Sequence, residues 1–277
     1  MPELPEVEVI RRGLKPHLIG KQVKGFSWSG KQLRRPVPEE AIRKNLVDAR
    51  ITSIGRRAKY ILLGLDSGAT VLLHLGMTGR LGIFAKGTPA ERHDHLFFLL
   101  DNRLELRFND TRRFGQILLL PTAKEVASYF EHDGPEPLSK ACTSSHLHGR
   151  ARRCRQPIKN FIMNGKNIAG VGNIYANETL FAAAIHPLTS ANSLTLQQWS
   201  CLLDNLRQIL RQAISCGGST IRDFIDSSGR SGYFQVNFKV YDRGGLPCVR
   251  CQDTLVKTVL AGRASFFCPS CQKREET

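Results

Sequence analysis

The sequence predicts an α+β protein: an N-terminal antiparallel β-sandwich flanked by an N-terminal helix, then a helical part, then a small cysteine-bearing β-hairpin. Three observations predict it. Short β-type runs punctuated by glycines fill residues 20–120, helical periodicity dominates after about residue 134, and two C-x-x-C pairs sit near the end.

The opening "PEVEVIRRGLKPHLIG" has helical spacing, with Val7, Ile10, Leu14 and Leu18 on one face. Pro5 suits a first turn, and Glu6 and Glu8 lie near the positive end of the helix dipole. "RITSIGRRAKYILLGLDSGATVLLHLGMTGRLGIF" holds three or four strands, and "HDHLFFLLDNRLELRFND" a hairpin with an Asp-Asn turn. The prolines and small polar residues of "HDGPEPLSKACTSSHLHGR" predict a domain boundary. Beyond it "QPIKNFIMNG", "GNIYANETLFAAAI" and "LTLQQWSCLLDNLRQILRQAISCGG" are helical, the last with Leu196, Trp199, Leu203, Leu206 and Leu210 in register. A Gly/Ser-rich stretch, "CGGSTIRDFIDSSGRSGYFQ", has the composition of a mobile loop. Three domains follow: 1–133, 134–240 and 241–277.

Lys plus Arg number 40 against 24 acidic residues, a net charge of +16. A field of that sign favours polyanions, of which nucleic acid is the commonest; a generically basic protein is the plainer alternative. No run approaches the ~18 apolar residues a spanning helix needs. Glu3, Glu6 and Glu8 stand where a signal peptide would carry basic residues, so the cytoplasm is the expected compartment and no membrane partner is expected.

Cys248, Cys251, Cys268 and Cys271 form C-x2-C-x16-C-x2-C, the spacing of a structural zinc site whose four thiolates leave no open position. One structural Zn²⁺ is the expected cofactor. "TLVKTVL" and "ASFF" between the knuckles predict a hairpin with "AGR" at its tip, which exposes Arg263. Cys142, Cys154, Cys201 and Cys216 are scattered as ordinary thiols.

"MPE" permits removal of the initiator methionine, which would free the secondary amine of Pro2. Such an amine can attack an electrophilic carbon and form an iminium. An α-amino group is less basic than a lysine, and the helix end beside it disfavours the ammonium further. Glu3 and Glu6 stand close enough in sequence to move protons. Helix starts also favour proline and glutamate for structural reasons alone, so these residues leave both readings open.

In this order, "MPELPEVE", "RRAKY", "HLGMTG", "HDH", "RRFG", "GVGNIYANE" and the cysteine module make the chain similar, over nearly its whole length, to the bacterial formamidopyrimidine-DNA glycosylases. The resemblance implies a base excision repair enzyme that removes oxidised purines such as 8-oxoguanine from duplex DNA and then cuts the strand by β,δ-elimination. Leu4 points to this purine branch, because the oxidised-pyrimidine enzymes of the same scaffold usually open "PEGPE".

By resemblance, Pro2 would attack C1′, Glu3 would protonate the opening sugar oxygen with Glu6 in support, and Lys59 would assist proton transfer and hold phosphate. Arg263, counted with the catalytic residues, would grip the lesion phosphates and take part in δ-elimination. Met77, Arg112 and Phe114 would fill the gap left by the extruded base. "GKNIAGVGNIYANETL" resembles a helix–two-turns–helix element whose amides and Asn173 would hold phosphate. His74, His93 and either Arg153 or Arg155 would also contact the backbone, and residues 217–235 would close over the flipped purine. The resemblance implies damaged double-stranded DNA as the partner, bound by a monomer at the bacterial nucleoid.

Three departures stand out. Thr111 replaces a frequent proline before the wedge, Asp242 a frequent glycine before the zinc module, and Cys154 interrupts a basic run. An oxidised-pyrimidine glycosylase and a non-catalytic DNA-binding protein are the alternatives. The joint presence of Pro2, Glu3, Glu6 and Lys59 argues against the second.

Overall fold

A computed structural model describes residues 2–217, 224–225 and 238–274. Two compact units emerge, 1–131 with 216–235 and 132–215 with 236–277.

In the first unit, helix α1 (Leu4–Leu18) leads into β1 (Val23–Trp28), α2 (Glu39–Leu46) and the run β2 (Ile51–Arg57), β3 (Tyr60–Leu65), β4 (Thr70–His74) and β5 (Gly79–Ala85). β6 (Asp94–Leu100), β7 (Leu104–Asp110), β8 (Gln116–Leu120) and α3 (Ala123–Tyr129) complete it. The strands form two sheets, ordered β2-β3-β4-β8 and β1-β6-β7-β5. Phe224–Ile225, here β9, joins the second sheet in parallel beside β5; every other pairing is antiparallel.

The sandwich packs as alternation demands. Ile61, Leu63 and Leu65 of β3 face inward at every second position, against Phe98, Leu106 and Phe108 of the other sheet. Val7, Ile10, Leu14 and Leu18 of α1 are buried in the same core, as their spacing predicts. The stretch between the opening helix and "RITSIG" holds β1 and α2, which the sequence pattern did not single out. The β6–β7 hairpin forms at the predicted place, but its left-handed residue is Arg103 (φ 62°), one beyond the Asp-Asn pair.

The second unit holds α4 (Ser144–Ala151), α5 (Ile158–Met163), α6 (Asn173–Ala182), α7 (Leu196–Ser215) and the hairpin β10 (Val256–Leu260) and β11 (Arg263–Phe267). Residues 164–172 make two consecutive turns between α5 and α6. Trp199, Leu203, Leu206 and Leu210 of α7 are buried as the helical spacing requires; Leu196, in the first turn, stays exposed. The predicted loop over 217–235 lies outside the described residues apart from Gly217 and the Phe224–Ile225 strand. No described helix is long and apolar enough to cross a membrane.

Candidate functional site

Strand register gathers most of the first unit's candidates. Tyr60, at the start of β3, pairs with His74, at the end of β4, and His74 pairs with Gln116, at the start of β8. In the other sheet Gly79, at the start of β5, pairs with Asp110, at the end of β7. Asp94, at the start of β6, pairs with Asn109. Two short connections, 75–78 and 111–115, cross from sheet to sheet at this end. Lys59, His74, Met77, His93, Arg112 and Phe114, spread over 56 positions of sequence, therefore share one end of the sandwich.

The start of α1 comes to the same end. Arg11 donates to the Ile54 carbonyl (3.3 Å), and Glu8, one turn earlier, pairs with Arg56 (3.3 Å). α1 thus runs antiparallel to β2, and its first residues approach the Ala58-Lys59 turn. Arg56 also donates to the Ala58 carbonyl (2.8 Å), so one guanidinium braces both helix and turn. Burial would raise the Glu8 carboxyl, but hydrogen bonds from Arg11 and Arg12 and the charges of Arg11 and Arg56 outweigh it and hold it near 2.

Pro2, Glu3 and Glu6 are all buried. Glu3 is the N-cap of α1, and its amide donates to Glu6 Oε2 at 2.8 Å. Glu6 is thereby the group that fixes the backbone of Glu3, half of a capping box.

Lys59 is half-buried in a two-residue turn whose first residue, Ala58, has φ 50°, an uncommon region for a residue with a Cβ. His74 accepts a hydrogen bond from the Gly76 amide at Nδ1 (3.0 Å), which leaves Nε2 to carry the proton. Burial first, then the charges of Lys59 and Arg34, bring it down to about 4, so the ring is neutral near pH 7. A neutral Nε2–H can donate to a phosphate oxygen without carrying charge. Arg34 belongs to this electrostatic cluster and was not singled out from sequence.

Met77 and Phe114 are 40% and 44% exposed, among the few large apolar side chains that face solvent. The Arg112 guanidinium stacks over the Phe114 ring, 4.7 Å from its centroid. Thr111 is exposed in the turn before them, where Arg113 (φ 58°) takes the left-handed conformation. Half-buried His93 precedes β6, and its carbonyl accepts from the Asp110 amide (2.9 Å).

In the second unit the four module cysteines converge, every Sγ within 4.8 Å of the others. The pairs Cys248–Cys271, Cys251–Cys268 and Cys251–Cys271 are 3.9, 3.4 and 3.5 Å apart. A tetrahedron with Zn–S bonds of about 2.3 Å has edges of about 3.8 Å, so the cluster fits zinc. Backbone amides of Arg250 and Cys271 point at Cys248 and Cys268 (3.4 Å each), which suits thiolates. Asp242 adopts φ 59°, a conformation in which glycine is unstrained and aspartate tolerated, and this accounts for the exchange.

Ala261 (φ 46°) and Gly262 (φ 73°) form the hairpin tip, and Arg263 is the exposed first residue of β11. Asn173, the first residue of α6, directs its amide to the carbonyl of Ala264 (3.0 Å), next to Arg263. Lys159 meets the same carbonyl (2.8 Å), a contact no sequence pattern flagged. Arg153 and Arg155 are exposed just past α4, where Arg150, Arg152 and Arg153 line a basic groove with Gly149. They stand on a different part of the unit's sequence from the hairpin.

A two-sheet sandwich carrying a buried proline at position 2, together with a helical unit holding a four-cysteine hairpin, defines a modular zinc-bearing architecture. Three family models match its parts: the formamidopyrimidine-DNA glycosylase N-terminal domain (residues 1–117), the formamidopyrimidine-DNA glycosylase H2TH domain (134–225), and the zinc finger found in FPG and IleRS (245–274). A formamidopyrimidine-DNA glycosylase of Hahella chejuensis is 43% identical over 99% of this chain and 100% of its own length. Among solved structures, the Lactococcus lactis Fpg in complex with abasic-site DNA is 33% identical, with a TM-score of 0.90 over 99% of this chain and 100% of that one. A MutM complex with DNA containing carbocyclic 8-oxo-G gives the same identity, score and coverage. The chain belongs to the formamidopyrimidine-DNA glycosylase family.

Proposed function

We propose that this chain works through Pro2 as nucleophile, on the oxidised purines that its relatives meet in DNA. It is a base excision repair enzyme, a DNA glycosylase that also cleaves the strand at the abasic site. The relatives include a MutM bound to carbocyclic 8-oxo-G DNA and a Lactococcus lactis Fpg mutant bound to Fapy-dG DNA.

The observation that carries the mechanism is the antiparallel seating of α1 on β2, which brings buried Pro2 and Glu3 toward Lys59. Once the initiator methionine is removed, the Pro2 nitrogen lone pair attacks C1′ and the C1′–N9 bond breaks, its electrons leaving with the base, which takes up the proton that the Pro2 nitrogen gives up. Glu3 protonates O4′ as the sugar opens, which leaves an iminium between Pro2 and C1′. The iminium acidifies the C2′ proton, and loss of that proton expels the 3′ phosphate; a second elimination expels the 5′ phosphate. Glu6 holds Glu3 in place through its backbone amide, and Lys59 supplies a cation near the phosphates and assists proton transfer.

Met77, Arg112 and Phe114 occupy the space vacated by the extruded base, Phe and Met by stacking and Arg by hydrogen bonding to the orphaned partner. His74, His93, Asn173, Arg263 and one or both of Arg153 and Arg155 contact backbone phosphates. Cys248, Cys251, Cys268 and Cys271 hold one structural Zn²⁺, whose chemistry is to fix the hairpin that carries Arg263. The division at 1–133, 134–240 and 241–277 separates catalytic, helical and zinc-finger functions. The chain acts as a monomer on double-stranded DNA in the bacterial cytoplasm, at the nucleoid.

Borohydride trapping tests the reading. A duplex with 8-oxoguanine opposite cytosine should give a covalent adduct with the mature protein. A chain with residues added ahead of Pro2, which ties the nitrogen into a peptide bond, should give none. An adduct in the extended chain would overturn the assignment of Pro2, and faster excision of dihydrouracil than of 8-oxoguanine would overturn the substrate class.

A further inference from the structure

Asp110 ends β7 with its side chain fully buried, yet it belongs to neither the catalytic nor the phosphate-binding set. Its two carboxylate oxygens are divided between the connections that cross from sheet to sheet. Oδ1 accepts from the Thr78 hydroxyl (2.5 Å) and from the Arg112 amide (3.3 Å), while Oδ2 accepts from the Gly115 amide (2.8 Å). The Thr78 hydroxyl in turn accepts from the Arg112 amide (3.1 Å). The Asp110 carbonyl is held as well, by the Arg113 amide (3.3 Å) and by Nε2 of buried His95 (3.0 Å).

One carboxylate therefore touches the residue after Met77, the backbone of Arg112 and the residue after Phe114. Gly76 completes the joint. Its φ is +63°, and a Cβ there would fall inside the Phe114 carbonyl and the Gly115 amide, so the two connections lie backbone to backbone. The tips carry exposed apolar side chains, and loops so exposed are ordinarily mobile. Here a buried charge with several donors fixes their bases, and such charge-assisted bonds are stronger than neutral ones.

We propose that Asp110, acting with the Thr78 hydroxyl, is a positioning group that makes Met77, Arg112 and Phe114 enter the DNA stack as one rigid wedge. This rests on the reading of those three residues as gap fillers. The rigid base matters because opening a base stack costs a few kcal/mol. A wedge that had to order its own loops during insertion would add that entropy to the barrier.

The test is stopped-flow fluorescence of a 2-aminopurine placed beside 8-oxoguanine in a duplex, which brightens as the stack opens. Thr78→Val removes one hydroxyl at nearly constant volume and should slow insertion about tenfold, the loss expected for a hydrogen bond to a charged acceptor. Thr78→Ser should restore the wild-type rate. Asp110→Asn should slow insertion at least as much, and Arg112→Ala combined with Thr78→Val should lose less than the product of the single effects. Should Asp110→Asn fail to fold, the Thr78 pair decides alone. Normal insertion in Thr78→Val with slow insertion in Arg112→Ala would overturn the positioning role only. Normal insertion in Arg112→Ala, Met77→Ala and Phe114→Ala would overturn the wedge itself, and this proposal with it.

Discussion

The ammonium of Lys159, almost wholly buried, donates to the carbonyl of Ala264 at 2.8 Å and to the Ser265 hydroxyl at 2.5 Å. Ala264 follows Arg263, so a lysine 104 positions away in sequence sets the base of the strand that presents that arginine. Asn173 reaches the same carbonyl, and Asn177 accepts from the Phe266 amide two residues on (2.8 Å). Lysine is rarely buried without partners because its charge is costly to desolvate.

Lys159→Met keeps the length of the side chain and removes the charge. Affinity for lesion-containing duplex should fall roughly ten- to a hundredfold, the value of a hydrogen bond to a charged group, while zinc content stays at one equivalent. Titration by fluorescence anisotropy with parallel metal analysis checks it. Unchanged affinity would remove Lys159 from any part in placing Arg263.

Zinc removal should be more severe. The module's buried cluster is small, with Val240, Leu255 and Phe266 packed beside Cys248, Cys268 and helix residue Phe181. Apolar burial on that scale leaves metal binding to supply most of the folding free energy, on the order of 10 kcal/mol in isolated fingers. Chelation should speed hydrogen exchange across 245–274 and abolish specific DNA binding; intact binding by the metal-free protein would count against the role of the hairpin.

The pH dependence has a definite sign. His74 is held down near 4 in the folded chain against an ordinary value of 6.5. Burial also lowers His95 and His186. Between about pH 4 and 6.5 the unfolded chain binds protons that the folded chain refuses, so stability is complete above 6.5 and falls with decreasing pH. Glu8, held near 2 against 4.5, extends the loss into stronger acid. Melting temperatures across this range should show a smaller acid-side decline for His74→Gln, and an identical decline would contradict the burial of a neutral ring.

Phosphate binding makes salt the discriminating variable for the basic segment after α4. Each phosphate contact contributes a slope of about −0.9 in log K against log salt. Arg153→Ala and Arg155→Ala should each be measured over a range of salt. A residue that holds phosphate should reduce the slope by about one, and one that does not should leave it unchanged.

Gly76→Ala should destabilise the first unit by about 2 kcal/mol or more, because a Cβ meets the Phe114 backbone and the left-handed φ is unfavourable. Chemical denaturation measures the change. Gly68→Ala, with a positive φ but open space around it, is the control and should cost less.

Much of this molecule was written in local pattern. The face of α1 carrying Val7, Ile10, Leu14 and Leu18 follows from spacing, as do the alternating strands and the buried face of α7, because periodicities of 3.6 and 2 are local properties. The cysteine module was legible for the same reason: a knuckle needs two cysteines three positions apart, and two knuckles fill one tetrahedral shell. The ordered motifs carried the family likeness. What local pattern could not supply was partnership across distance. Asp110, joined to Thr78, Arg112 and Gly115, and Lys159, joined to Ala264 and Ser265, are such partnerships. Antiparallel register brought the connections around Asp110 to one end of the sandwich, and the seating of a helix lysine on β11 decided Lys159. Buried charge is stable only where such partners meet, and the tertiary structure alone determines where that is.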